Sequence, residues 1–167
     1  MAFDRLGDIV VHHAEDGPPG APWLVLANSL GTDLRVWDLL LPRLAGRFRC
    51  LRYDQRGHGL TDATPGPYAM QQLADDLARL LDTYQAKQAI VCGLSIGGMI
   101  AQALTSTRPD LVRGLVLMDT AHKIGTSSIW AERMSAVQAG GIASITPAIL
   151  TRWFSPAFHQ GRAADLA

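Results

Sequence analysis

The side chain best placed to do chemistry is Ser95, at the centre of Gly93-Leu94-Ser95-Ile96-Gly97. The apolar run Ala89-Ile90-Val91-Cys92 leads into this pentapeptide, and Met99-Ile100-Ala101-Gln102-Ala103-Leu104 leads out of it. A serine between a strand-like and a helix-like segment sits on a sharp, strained turn. The residues two before and two after it then come so close that only a very small side chain fits. Gly93 and Gly97 meet that need, and Gly98 adds slack. A helix starting at the turn brings unpaired N–H groups and the positive end of its dipole, both of which favour a developing anion. The chemistry is nucleophilic attack on an acyl carbon, with Ser95 as the catalytic residue and the Ile96 N–H as an oxyanion donor. A small-residue turn that merely contains a serine is the competing reading, and the flanking strand and helix decide against it.

Other reactive residues fit structural roles. Asp54-Gln55-Arg56-Gly57-His58-Gly59 gathers an acid, two bases and two glycines. It is read as a loop in which Asp54 and Arg56 pair and the glycines allow tight turns, with His58 as a general base the lesser alternative. Neighbours on a strand point to opposite faces, so His12 and His13 cannot chelate one ion together. Neither a metal nor a cofactor is expected: there is no Gly-x-Gly-x-x-Gly and no Gly-x-x-x-x-Gly-Lys.

The elements that must position Ser95 are legible as periodicity. Ile9-Val10-Val11-His12-His13, Trp23-Leu24-Val25-Leu26-Ala27, Phe48-Arg49-Cys50-Leu51-Arg52-Tyr53, Ala89 to Cys92 and Gly114-Leu115-Val116-Leu117-Met118 read as strands. Leu34, Trp37, Leu40, Leu41 and Leu44 form a helical stripe. Tyr68 to Tyr84 predicts an amphipathic helix with Leu73, Leu77, Leu80, Leu81 and Tyr84 inward and Asp75, Asp76 and Arg79 outward. A further helix starts at Ser95 and stops before Pro109. Strands alternating with helices predict an α/β fold with a mostly parallel sheet covered on both faces.

The chain has 167 residues, 48% of them hydrophobic and 18% charged, with 15 Lys and Arg against 15 Asp and Glu. That balance speaks against disorder, nucleic acid and an electrostatic membrane contact. No apolar run approaches the roughly 20 residues of a membrane span, and the acidic start is unlike a signal peptide. A cytoplasmic location is expected. Two cysteines, Cys50 and Cys92, are too few for a disulfide framework and suit small core side chains.

From about Gly125 the pattern changes. Ile129 to Val137 and Ile142 to Phe154, the latter interrupted by Pro147, read as helices of a cap, giving a core over residues 1–124 and an incomplete cap segment over 125–167. A cap would give a substrate an apolar wall and exclude water. Trp130, Met134 and Trp153 are candidate substrate-binding residues, and Arg133 among them would suit an acidic substrate. The plainer alternative makes these aromatics the core of their own helices.

The run from Trp23 to Asp119 resembles the α/β-hydrolase superfamily, and within it the 3-oxoadipate enol-lactonases of the β-ketoadipate pathway. Asn28-Ser29-Leu30-Gly31-Thr32, Tyr53 to Gly59, Gly93 to Met99 and Leu115-Val116-Leu117-Met118-Asp119-Thr120 carry the resemblance. It implies an α/β-hydrolase fold, a second oxyanion N–H from Leu30, and a serine hydrolase acting on a small-molecule ester or lactone without a cofactor. Asn28-Ser29 replaces the His-Gly of many relatives, which leaves a main-chain role intact. It also implies a strand between those carrying Cys50 and Cys92, hence two free thiols. Cofactor-free haloperoxidases and other carboxylesterases are cousins.

The resemblance implies a chain order of Ser, then Asp or Glu, then His. After Ser95 the only histidines are His122, three residues past Asp119, and His159 in the cap segment. Three readings stay open: a serine hydrolase whose acid, base and C-terminal strands lie in further polypeptide of the same protein; a catalytically silent binding module; or an enzyme with an unusual acid and base from Asp119, His58, His122 or His159. The first predicts that residues 115–118 form an exposed edge in this chain alone.

Overall fold

The computed structural model describes residues 1–44, 46–162 and 164. The chain separates into two units, Met1–Lys123 and Ile124–Ala167.

The first unit is built on six strands: β1 (Ala2–Leu6), β2 (Ile9–Asp16), β3 (Trp23–Ala27), β4 (Arg49–Tyr53), β5 (Ala89–Leu94) and β6 (Val112–Met118). Their order in the sheet is β1-β2-β4-β3-β5-β6, with β1 and β2 antiparallel and the other four mutually parallel. Side chains alternate between faces, so each buried strand feeds two cores. Val25, Ala27, Leu51 and Val91 pack with Leu77, Leu80 and Leu81, and with Ile100 and Leu104. Leu24, Leu26, Cys50 and Cys92 pack with Trp37 on the opposite face. The first group joins the sheet to two helices that follow α1 (Leu41–Leu44): α2 (Met70–Thr83) and α3 (Ile96–Thr107). Continuous apolar strands and helical cover on both faces are thus one fact seen from two sides.

Several local expectations are corrected. The stripe from Leu34 to Leu44 folds as a 3-10 turn over Leu34–Trp37 and the single turn α1, because Pro42 has no N–H to continue a helix into. Asp76 does not face outward. It is buried, three residues after Leu73 and four before Leu80, and Arg56 clasps it at 2.8 Å through both Nε and Nη2. Arg56 therefore pairs with Asp76 and Asp8, not with Asp54. The carboxylate of Asp54 instead accepts His12 Nδ1 at 2.7 Å and the N–H groups of Leu34 at 2.7 Å and Leu60 at 2.9 Å.

His12 and His13 do face apart. The buried ring of His13 bonds Asp4 at 2.9 Å and the Tyr84 hydroxyl at 3.2 Å. Among the described residues no group of three or more His, Cys, Asp or Glu could hold a metal ion. Cys50 and Cys92 are buried and free, with β3 between their strands. Among the described residues no helix is long and apolar enough to cross a membrane. β6 is an outer strand of the sheet, and Val116, Leu117 and Met118 are 45%, 46% and 39% exposed.

The second unit contains α4 (Ser127–Gly140), α5 (Thr146–Trp153) and α6 (Pro156–Gly161). Thr126 caps α4 by accepting from the Ile129 N–H, and Gly141 ends it at φ +68°. Pro147 lies in the first turn of α5, where its missing N–H costs nothing, so it starts a helix and does not interrupt one. Phe154 and Phe158 stack at 4.7 Å.

Candidate active site

Ser95 stands at the junction of β5 and α3 with φ +55° and ψ −116°. A left-handed φ on a residue with a Cβ costs about 1–3 kcal/mol and persists only where the surroundings over-determine it. Here they do. A Cβ on Gly93 would lie 2.3 Å from the Gly97 carbonyl oxygen, and one on Gly97 would lie 2.2 Å from the Ala27 carbonyl oxygen. Strand β5, the first turn of α3 and the end of β3 are therefore in backbone contact. The tip of β6 completes the frame: the Ser95 N–H donates to the Met118 carbonyl at 2.9 Å, and Thr120 Oγ1 donates to the Ser95 carbonyl at 2.6 Å.

The loop after β3 is tied back on itself. The Ser29 carbonyl accepts Thr32 Oγ1 at 2.9 Å and the Thr32 N–H at 3.3 Å, with Gly31 at φ +77°. Asn28, buried, accepts from Trp37 Nε1 at 3.0 Å. Because Gly97 lies against Ala27 and Asn28, this loop and the start of α3 meet. Among the described residues the N–H groups of Leu30 and Ile96 have no acceptor, and no side chain hydrogen-bonds the Ser95 hydroxyl. Two unpaired N–H groups on converging segments, one at a helix N-terminus, suit a negative oxygen.

Both His58 nitrogens are engaged, Nδ1 with the Arg56 carbonyl at 3.1 Å and Nε2 with Gln55 Nε2 at 3.3 Å. Asp119 is exposed with φ +43°, and His122 is exposed. His159 bonds the Leu150 carbonyl at 3.1 Å within the second unit. Trp130, Arg133 and Met134 lie on α4 and Trp153 on α5. The Arg133 guanidinium is 5.0 Å from the Trp130 ring, and Trp130 Nε1 donates to Ile124 at 2.7 Å. Shallow hollows of about 290 and 380 Å³ line up with Arg79 and Arg108 and with Leu41 and Phe48, away from Ser95.

A family model described as the alpha/beta hydrolase fold matches residues 22–139. The chain belongs to the α/β-hydrolase family. This α/β-hydrolase is 36% identical to 3-oxoadipate enol-lactonase 2 of Acinetobacter baylyi over 92% of its own length and 57% of that protein's. It is also 36% identical to 3-oxoadipate enol-lactonase 1 of the same organism, over 86% and 53% respectively. The chain thus spans about half the length of the curated relatives it matches. Among solved structures, the enol-lactonase from Burkholderia xenovorans LB400 superposes with a TM-score of 0.95 at 36% identity, over 99% of this chain and 64% of that one.

Two residues of this α/β-hydrolase's frame were not legible as such. Thr120 is fixed to Ser95 only by the β5–β6 register, which pairs Leu94 with Met118. Gly98 looked like slack, yet a Cβ there would stand 2.5 Å from Thr120 Cγ2. Its role is to leave room for Thr120.

Proposed function

We propose that this chain carries the nucleophilic half of a serine hydrolase for a small acidic lactone, with 3-oxoadipate enol-lactone as the substrate. The observation that carries the reading is the strained Ser95 held at the head of α3, with the Leu30 and Ile96 N–H groups unpaired nearby in the fold. The substrate class rests on the enol-lactonase relatives at 36% identity.

In this reading Ser95 Oγ attacks the lactone carbonyl carbon while an imidazole takes its proton. The oxyanion sits between the Leu30 and Ile96 N–H groups. Collapse breaks the ring C–O bond, the imidazolium returns its proton to the leaving oxygen, and the opened chain stays attached to Ser95 as an ester. Water, deprotonated by the same imidazole, then releases the acid and restores the serine.

The imidazole and its acid are assigned to further polypeptide of the same protein, which would also cover the half-exposed β6 strand. Arg133, oriented by the Trp130 ring, is the partner assigned to a substrate carboxylate, with Trp130, Met134 and Trp153 as apolar wall. A cytoplasmic setting goes with the two free buried thiols, which need no oxidising compartment.

The test is turnover of 3-oxoadipate enol-lactone by the protein as the cell makes it, beside Ser95→Ala. Ring opening that falls by about a million-fold in the variant is expected. Turnover of neutral esters with none of the acidic lactone would replace the substrate, and equal rates in both proteins would remove Ser95.

A further inference from the structure

We propose that Thr120 is a positioning residue for the oxyanion hole, a role that rests on the reading of Ser95 as nucleophile. The Ser95 carbonyl and the Ile96 N–H belong to one planar trans peptide, so they point in opposite directions. Whatever holds the carbonyl therefore aims the N–H. Thr120 Oγ1 holds it at 2.6 Å, closer than the helical donors Gly98 N at 2.9 Å and Met99 N at 3.3 Å.

The peptide on the other side of Ser95 is pinned from the same place, its N–H donating to the Met118 carbonyl at 2.9 Å. Rotation about the Ser95 N–Cα bond is rotation between these two planes. Contacts two residues apart at the tip of β6 thus lock the strained φ of +55°. Asp119, between them, itself has φ +43°, a second strained residue beside the first. Donation to a carbonyl oxygen also polarises its peptide, which makes the N–H at the far end a stronger donor. Thr120 acts on the oxyanion without touching it, and Gly98 is the clearance that lets it do so.

The experiment uses the whole protein and the variants Thr120→Val, Thr120→Ser, Thr120→Ala and Gly98→Ala. Two readouts are taken: kcat and KM for an ester or lactone substrate, and the chemical shift of the Ile96 amide nitrogen, which shares its peptide with the Ser95 carbonyl. Val replaces the hydroxyl by a methyl of similar size, so kcat should fall about 10- to 100-fold with KM within about twofold. That is less than the loss of a direct donor, which costs about 100- to 1,000-fold. Ser keeps the hydroxyl and should stay within about threefold of the natural protein, and the Ile96 amide nitrogen shift should move in Val and not in Ser. Gly98→Ala should slow the enzyme similarly and add little to Thr120→Val, because both break one contact.

If Val does not fold, the Ser and Ala variants make the same comparison, differing by one oxygen atom. A Ser variant as slow as Ala or Val would overturn the proposal, since packing and not the hydroxyl would then matter. Loss expressed in KM alone would overturn it as well. Should the natural protein neither turn over substrate nor react at Ser95, the nucleophile reading fails, and the Ile96 amide shift still judges the clamp: equal shifts in Val and Ser refute it, and a change in Val alone supports it.

Discussion

Gly97 lies against Ala27 so closely that a Cβ would stand 2.2 Å from the Ala27 carbonyl oxygen. That contact brings the end of β3 to the start of α3, and with it the two segments that carry the unpaired Leu30 and Ile96 N–H groups. The obstacle is backbone on both sides, so no side chain can swing away to relieve it. Gly97→Ala should cost about 1–3 kcal/mol of stability or more, by overpacking, and should slow catalysis at least 100-fold by separating the donors. Gly114→Ala on β6 is the control: nothing lies within 4 Å of the added carbon, and stability should hold or rise by about 0.5 kcal/mol. Denaturant midpoints and kcat for the two variants settle it; a tolerated Gly97→Ala would mean the segments are not locked.

Arg56 and Asp76 form a buried ion pair, 1% and 4% exposed at their side chains. Removing Asp76 leaves the buried Arg56 guanidinium with Asp8 as its one remaining carboxylate and its Nε without a partner. Asp76→Ala should therefore cost about 3–5 kcal/mol. Asp75→Ala, one position round the helix, should change stability by less than about 0.5 kcal/mol. Similar unfolding midpoints for both would show that the pair is dispensable.

Two groups make stability depend on pH in separate windows. Burial pushes the His13 imidazole below its ordinary 6.5, so the unfolded chain takes up that proton first. Stability from this group is complete above pH 6.5 and declines as pH falls below it. The hydrogen bond from Arg56 holds the Asp8 carboxyl down at about 2, against an ordinary 3.8. Its contribution is complete above pH 3.8 and lost as pH falls from there to about 2. Urea midpoints measured from pH 8 to about 2 should fall in two stages, and His13→Gln should flatten the first. An unchanged slope between pH 6.5 and 5 in that variant would free His13 from this role.

Arg133 is the cation proposed for a substrate carboxylate. Arg133→Met keeps an apolar side chain against Trp130 and removes the charge. KM for an acidic lactone should rise about tenfold or more while KM for a neutral ester changes less than about twofold. Equal changes for both substrates would take Arg133 out of the pocket.

Much of this was legible because the strands are apolar on both faces and the turn at Ser95 has one steric solution. The strand, the two glycines and the following helix each restrict the same few residues, so their agreement is informative. β1 was not legible: Ala2–Leu6 is a mostly exposed edge strand whose pairing with β2 supplies the order that its sequence lacks. Asp76 carried a signal that a count of outward charges hides, since it falls on the same helical face as Leu73 and Leu80. Its partner Arg56 lies 20 residues away, and only the fold joins them. Thr120 had no local signal at all. Its meeting with Ser95 depends on the alignment of β5 with β6 and on the absent side chain of Gly98.

The central claim is that Ser95 is an activated nucleophile. The most direct measurement is the site of attachment of a fluorophosphonate on the protein as the cell makes it, read by mass spectrometry of its peptides. The account predicts one adduct, on the peptide that holds Ser95, and none in Ser95→Ala. A folded protein that takes no label, or takes it on another residue with Ser95 untouched, would contradict it.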